Sequence, residues 1–196
     1  MCPGGIGMTS FEYALGLFSV LMALALGDIA MNVHKLIRHC RTVRWDARVV
    51  LSTLLVVVVV VRMWFALWSI REVGMVLVFP FYLSLFLELM ILFLLAASCL
   101  PDEPLPDCDM GLFYEQNRRT LWSIFAAFQL SYFLHWLYFG GTSAAPLSWA
   151  RVLTPLAIYV LLACTRVKWL HYAAPAALIA WELIANWEST LGERLS

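Results

Sequence analysis

The chain has 196 residues, 63% of them apolar and 13% charged, and its 13 basic residues are balanced by 13 acidic ones. Soluble domains average about 45–50% apolar and about 25% charged residues, so a water-soluble globule of this length is excluded and lipid is the natural solvent. Zero net charge, with no basic stripe interleaved with stacking aromatics, disfavours nucleic acid as a partner.

A helix needs about 20 mostly apolar residues to cross the hydrocarbon core. The opening MCPGGIGMTSFEY lacks a basic n-region, so no cleaved signal peptide is expected, and Met8 is an alternative start to Met1. The first predicted span is Tyr13–Val33. Ser19, Ala23 and Gly27 recur along it at spacing four, a small-residue seam that lets another helix backbone approach closely. Asp28 lies in its second half, shortly before His34 and Lys35, where a local contact with the basic first loop is the plainest expectation.

The second span, Val49–Trp68, contains six consecutive valines that run straight into Arg62. A guanidinium at that depth costs several kcal/mol unless it turns into the bundle and finds a partner. Glu182 is the first choice of partner by depth and Glu88 the second; the alternative is an arginine that snorkels to the headgroups. The third span, Met75–Leu100, carries Ser84 one turn before Glu88. The fourth is Leu121–Phe139, preceded by DMGLFYEQNRRT, which reads as an amphipathic lead-in on the membrane surface. Along it Ser123, Ser131, His135 and Tyr138 share one face, which is expected to point inward, while Gln129 points elsewhere.

The fifth span, Leu147–Cys164, holds Arg151 and Pro155, and only Thr165–Lys168 separates it from the sixth, Trp169–Trp187, as in a tight helical hairpin. On the sixth, His171, Pro175, Glu182 and Asn186 form a polar stripe at helical spacing. Such stripes are either interhelical glue or the lining of a cavity. The predicted architecture is therefore all-α: residues 1–196 form a single transmembrane domain of six spans with no linker to a second unit. PFYLSLFLELMI in the third span and AAPAALIAWELIA in the sixth each place a proline seven or eight residues before Glu-Leu. Their opposite directions suggest an inverted three-plus-three repeat with Glu88 and Glu182 equivalent, an arrangement common in secondary transporters.

Orientation follows from the basic residues. Lys35, Arg38, Arg41, Arg44, Arg48, Arg118, Arg119, Arg166 and Lys168 fall on one side, against Arg71, Arg151 and Arg194 on the other. The side with nine is expected to be cytoplasmic, which leaves both termini outside, periplasmic in a bacterial inner membrane. The five cysteines make no CxxC and no zinc-like spacing, so neither a disulfide framework nor a metal site is expected. No Walker loop, GxGxxG, HExxH or GxSxG occurs, and no catalytic residue is assigned. His34 and His171 both lie near the inner boundary and are the one pair able to meet as haem ligands.

FEYALGLFSVLMALALGDIAMNVHKLIR, the aromatic-rich end of the second span and FYEQNRRTLW resemble an uncharacterised family of small bacterial six-helix integral inner-membrane proteins. The likeness runs from Met8 to about Trp187. It implies a bacterial inner-membrane bundle, and the family's function is unknown, so no functional residue is carried over. The sequence points first to a small transporter or channel-like protein with a polar intramembrane site of Arg62, Glu88, Glu182, Asp28, His135 and Asn186. Its expected partners are the lipid bilayer and a homo-oligomer or membrane partner subunit. The alternatives are a non-catalytic membrane subunit or scaffold that binds a protein partner through its basic-side loops, and a haem- or cofactor-binding membrane protein.

Overall fold

The computed structural model describes residues 10–39, 42–70, 79–102, 108–139 and 146–192. Among them are six helices: α1 (Ser10–Arg38), α2 (Ala47–Ile70), α3 (Phe79–Ser98), α4 (Met110–Phe139), α5 (Pro146–Cys164) and α6 (Leu170–Gly192). No strand occurs among the described residues, only an isolated bridge between Arg44 and Asp109. Each predicted span falls on one helix where it is described, residues 75–78 of the third lying outside the described residues; most ends agree within about a turn, and α4 starts well before the predicted Leu121. Three helices are long and apolar enough to cross a membrane, over Ala14–Arg38, Ala47–Leu67 and Phe79–Ser98. Shorter apolar stretches occupy Val152–Cys164 of α5 and Leu170–Ala185 of α6.

Local chemistry sets the helix ends. Asp46 Oδ1 accepts the backbone N–H of Arg48 at 2.7 Å and opens α2 as its N-cap. Asp109 Oδ1 does the same for α4, accepting the N–H groups of Gly111 at 2.9 Å and Leu112 at 3.1 Å. Pro80 and Pro146 stand in the first turns of α3 and α5, where a missing N–H costs nothing. Lys35 and Arg38 occupy the last turn of α1 and complement its dipole.

One end of the bundle gathers the connections between α1 and α2, α3 and α4, and α5 and α6. Arg44 N–H donates to Cys108 O at 3.0 Å, and Met110 N–H donates to Arg44 O at 3.1 Å. Lys35 Nζ donates to Asp102 O at 2.8 Å, and Arg118 Nη1 reaches Thr165 O. Lys35, Arg38, Arg44, Arg48, Arg118, Arg119, Arg166 and Lys168 therefore share this basic end. Arg41, Arg71 and Arg194 lie outside the described residues.

Packing and exposure divide every helix. α2 touches α1, α3, α4 and α6, while α1 packs on α3 and α4 on α5. Val56, Val59, Val60, Met63 and Leu67 of α2 are buried, whereas Val61, Trp64 and Phe65 face out. Outward stripes of large apolar residues run down the other helices, such as Leu17, Leu24 and Met31 on α1 and Leu83, Leu87 and Leu94 on α3. Apolar patches of this extent are untenable against water and are what a hydrocarbon solvent permits. The helices are those of a membrane protein.

The segment DMGLFYEQNRRT opens the 30-residue helix α4 as the sequence suggests, but it does not lie wholly on the surface. Tyr114 and Arg118 are buried beneath it, because the adjoining α5–α6 connection and α6 offer them partners.

Candidate functional site

Arg62, Glu88 and Glu182, three charged groups of the spans, lie in the half of the bundle away from the basic end. Arg62 Nη1 lies 3.5 Å from Glu182 Oε1, joining α2 to α6. The side chains are 20% and 9% exposed, so the pair is inside the helix cluster and Arg62 does not snorkel outward. Arg62 also stands 5.2 Å from the centroid of the Tyr132 ring on α4, within cation–π range. The sixth-helix stripe faces inward as predicted, with His171, Pro175 and Glu182 all buried. Asn186 lies further along α6, where side chains are outside the described residues.

Glu88 is 1% exposed, and its Oε1 has no hydrogen-bond partner. It lines a cleft of about 170 Å³ between α2, α3 and α4. Chain direction orders the lining by depth. α2 and α4 run away from the basic end and α3 runs toward it, so Met63, Glu88 and Tyr132 form the floor. Leu67, Phe81 and Phe139 lie at the end farther from the basic end, here called the mouth, and His135 and Trp136 make the wall between. Roughly 10 Å of helix separate floor from mouth, at 1.5 Å per residue over the seven residues from Phe81 to Glu88.

His135 is fixed by Ser84. Ser84 Oγ donates to Phe81 O at 2.9 Å and lies 3.0 Å from His135 Nδ1. A hydroxyl has one hydrogen, so both contacts are satisfied when Nδ1–H donates to Ser84 Oγ. That tautomer leaves Nε2 as an acceptor. The His135 ring is held further by Phe81 and Phe139, with centroids at 4.9 and 5.0 Å.

The predicted fourth-helix stripe is corrected in part. His135 turns inward, but Ser123 and Tyr138 are exposed. The inward face is instead Leu121, Trp122, Phe125, Phe128 and Gln129. The large rings of Trp122 and Phe125 outweigh a serine hydroxyl in the competition for burial. They stack with Tyr159 of α5 at centroid distances of 4.9–6.1 Å and fill the centre between the cleft floor and the basic end. Gln129, off the stripe, is buried, and its Nε2 donates to Val152 O of α5 at 3.1 Å.

Asp28 belongs elsewhere. Asn32 Nδ2 donates to Asp28 Oδ2 at 3.3 Å, and Lys35 Nζ donates to Asn32 Oδ1 at 3.2 Å and on to Asp102 O. This ladder ties Asp28 to the basic end, as its place before Lys35 implies, and keeps it apart from the cleft.

The basic end holds a second cluster that composition and periodicity do not reveal. Arg48 bonds both carboxylate oxygens of Asp46 and also Glu115, which in turn lies 3.5 Å from Arg118. The Arg48 guanidinium sits 4.9 Å from the Tyr114 ring centroid. These hydrogen bonds, first of all the side-chain bond from Arg48, hold the Asp46 carboxyl below its ordinary range. A Cβ at Gly111 would stand 3.0 Å from Asp46 Oδ2, so the cluster uses the space that glycine leaves. Beside it, Trp122 Nε1–H donates to Tyr114 Oη at 2.9 Å, and Tyr114 Oη–H faces His171 Nδ1 at 2.8 Å. His171 Nε2 then meets Thr165 O at 3.2 Å. Both nitrogens of His171 are thereby engaged, while His34 on α1 is exposed. The two do not form a vacant ligand pair. Among the described residues no three His, Cys, Asp or Glu side chains group as metal ligands.

Comparison with protein-family models, with curated proteins and with solved structures finds no match for this chain.

Proposed function

We propose that the chain is a six-span inner-membrane protein of the bacterial type that its sequence resembles, and that it works as a small transporter or channel-like protein. The basic end is cytoplasmic under the positive-inside rule, and both termini are periplasmic. The substrate site is the cleft over Glu88, with the Arg62–Glu182 pair beside it. The observation that carries this reading is a buried carboxylate with an unpartnered oxygen on the floor of an intramembrane cleft. Ionisable groups at that depth are costly, and of the buried oxygens without a hydrogen-bond partner among the described residues, Thr53 Oγ1, Tyr82 Oη and Glu88 Oε1, Glu88 is the one that lines the cleft. The cleft lies in the half of the bundle away from the basic end, and the Trp122–Phe125–Tyr159 stack fills the interior on its other side, an arrangement that suits a carrier open outward.

The inverted repeat is not needed for this. α1 packs on α3, whereas among the described residues α4 and α6, the pair that a repeat makes equivalent to α1 and α3, share no comparable interface. At the basic end Arg48 and Arg118 are bound to groups of the chain itself, so a scaffold that takes a protein partner there would use the exposed Arg38, Arg44, Arg119, Arg166 and Lys168.

Proteoliposomes on a solid-supported membrane test the reading. Concentration jumps of H⁺, Na⁺, K⁺ and small organic cations should give a transient current for at least one solute, and Glu88→Gln should abolish it. Absence of current for every jump, with folded protein in the bilayer, would overturn it.

A further inference from the structure

We infer that the cleft over Glu88 binds a small protonated primary amine bearing one compact apolar group. The inference deepens the transport reading and rests on its choice of site.

Charge comes first. Arg62 and Glu182 neutralise one another at 3.5 Å. Asp28 is bound to Asn32 near the other end. Glu88 is the carboxylate left over on the cleft, 1% exposed with Oε1 unpartnered. An unpartnered carboxyl at this burial is costly to ionise, and a monocation at the floor supplies the countercharge that the ionised form needs, whereas an anion supplies none.

Shape and donors narrow the class. The cleft holds about 170 Å³. An apolar cavity of about 150 Å³ takes a benzene ring, and drug-sized ligands need about 300 Å³ or more. The apolar part is thus a single ring or a short branched chain. Phe81, Tyr132, Trp136 and Phe139 line it, suiting both that group and the cation beside it. Glu88 Oε1 and, through the Ser84 contact, His135 Nε2 are the acceptors of the lining, beside the Tyr132 hydroxyl and the Trp136 indole N–H. Two acceptors match the N–H groups of a primary ammonium. A quaternary ammonium leaves both unsatisfied.

The test is calorimetric titration of the full chain in nanodiscs at neutral pH with benzylammonium, benzyl alcohol, benzyltrimethylammonium and benzoate. Benzylammonium should bind saturably at one site, at least about tenfold tighter than the other three, the difference a charge-assisted hydrogen bond supplies. Glu88→Gln should bring it down to the level of benzyl alcohol. Ala66→Leu, which narrows the cleft and leaves every charge in place, should weaken it as well. Equal binding of benzylammonium and benzyl alcohol to the unaltered protein would overturn the inference, as would unchanged binding by Glu88→Gln. Amine binding without current in any proteoliposome assay would keep the site and remove the transport reading. Current for another solute without amine binding would do the reverse.

Discussion

Replacing Arg62 by Gln tests the intramembrane charge arrangement through stability. The substitution leaves the Glu182 carboxylate, 9% exposed, without its arginine at 3.5 Å. Breaking a fully buried ion pair by removing one partner costs about 3–5 kcal/mol. The Arg62 side chain is 20% exposed and the contact is long, which places the expected loss lower. A figure of about 2–3 kcal/mol is reasonable once solvent screening is allowed for. For a domain of this size each kcal/mol moves the melting temperature by about 2–4 °C, so Arg62→Gln should melt roughly 4–12 °C lower in detergent or nanodiscs. The double substitution Arg62→Gln/Glu182→Gln should recover part of that loss, because it removes the carboxylate as well as the arginine that faces it. The coupling energy in the cycle should be about 1–3 kcal/mol. A shift below about 1 °C for Arg62→Gln, or a strictly additive double mutant, would refute the pairing and favour an arginine that reaches the headgroups alone.

Two further predictions concern the basic end. Asp46 has a depressed carboxyl pKa in the folded chain, so its stabilisation is present above the unfolded value of about 4 and is lost as pH falls through the folded value. Asp46→Asn should therefore lower stability at neutral pH and flatten the acid limb below about pH 4, read by thermal melts across pH. Tyr114→Phe removes the hydroxyl between Trp122 Nε1 and His171 Nδ1 and strands a buried donor. The expected cost is about 2 kcal/mol, or roughly 4–8 °C in melting temperature by differential scanning fluorimetry; no change would mean that water replaces the hydroxyl.

Much of this architecture is legible in the amino-acid sequence. Runs of apolar residues about as long as the bilayer is thick mark the helices. The cost of a guanidinium in hydrocarbon points Arg62 to Glu182. The polar stripe of α6 is readable because His171, Pro175 and Glu182 have only one interior to face. The stripe of α4 misleads because it ranks serines above aromatics, and the burial of Trp122, Phe125 and Phe128 sets the rotation of that helix. The cleft is not legible, since its floor combines residues from three helices whose relative rotation no local pattern encodes. Nor is the Asp46–Arg48–Glu115 cluster. Arg48 and Glu115 are 67 residues apart, and the bridge between Arg44 and Asp109 brings their helix starts together.

A spin-label scan of α3 in nanodiscs decides most directly whether the acidic groups face one another inside the bundle. Single cysteines in a cysteine-free background, at positions 83 to 91, would be labelled and their collision rates with molecular oxygen compared. Oxygen concentrates in the acyl chains, so the rates should peak at 83 and 87, where Leu83 and Leu87 face out, and fall to minima at 85, 88 and 89. A maximum at 88 would put the carboxylate on the lipid side and end the proposal for a site there.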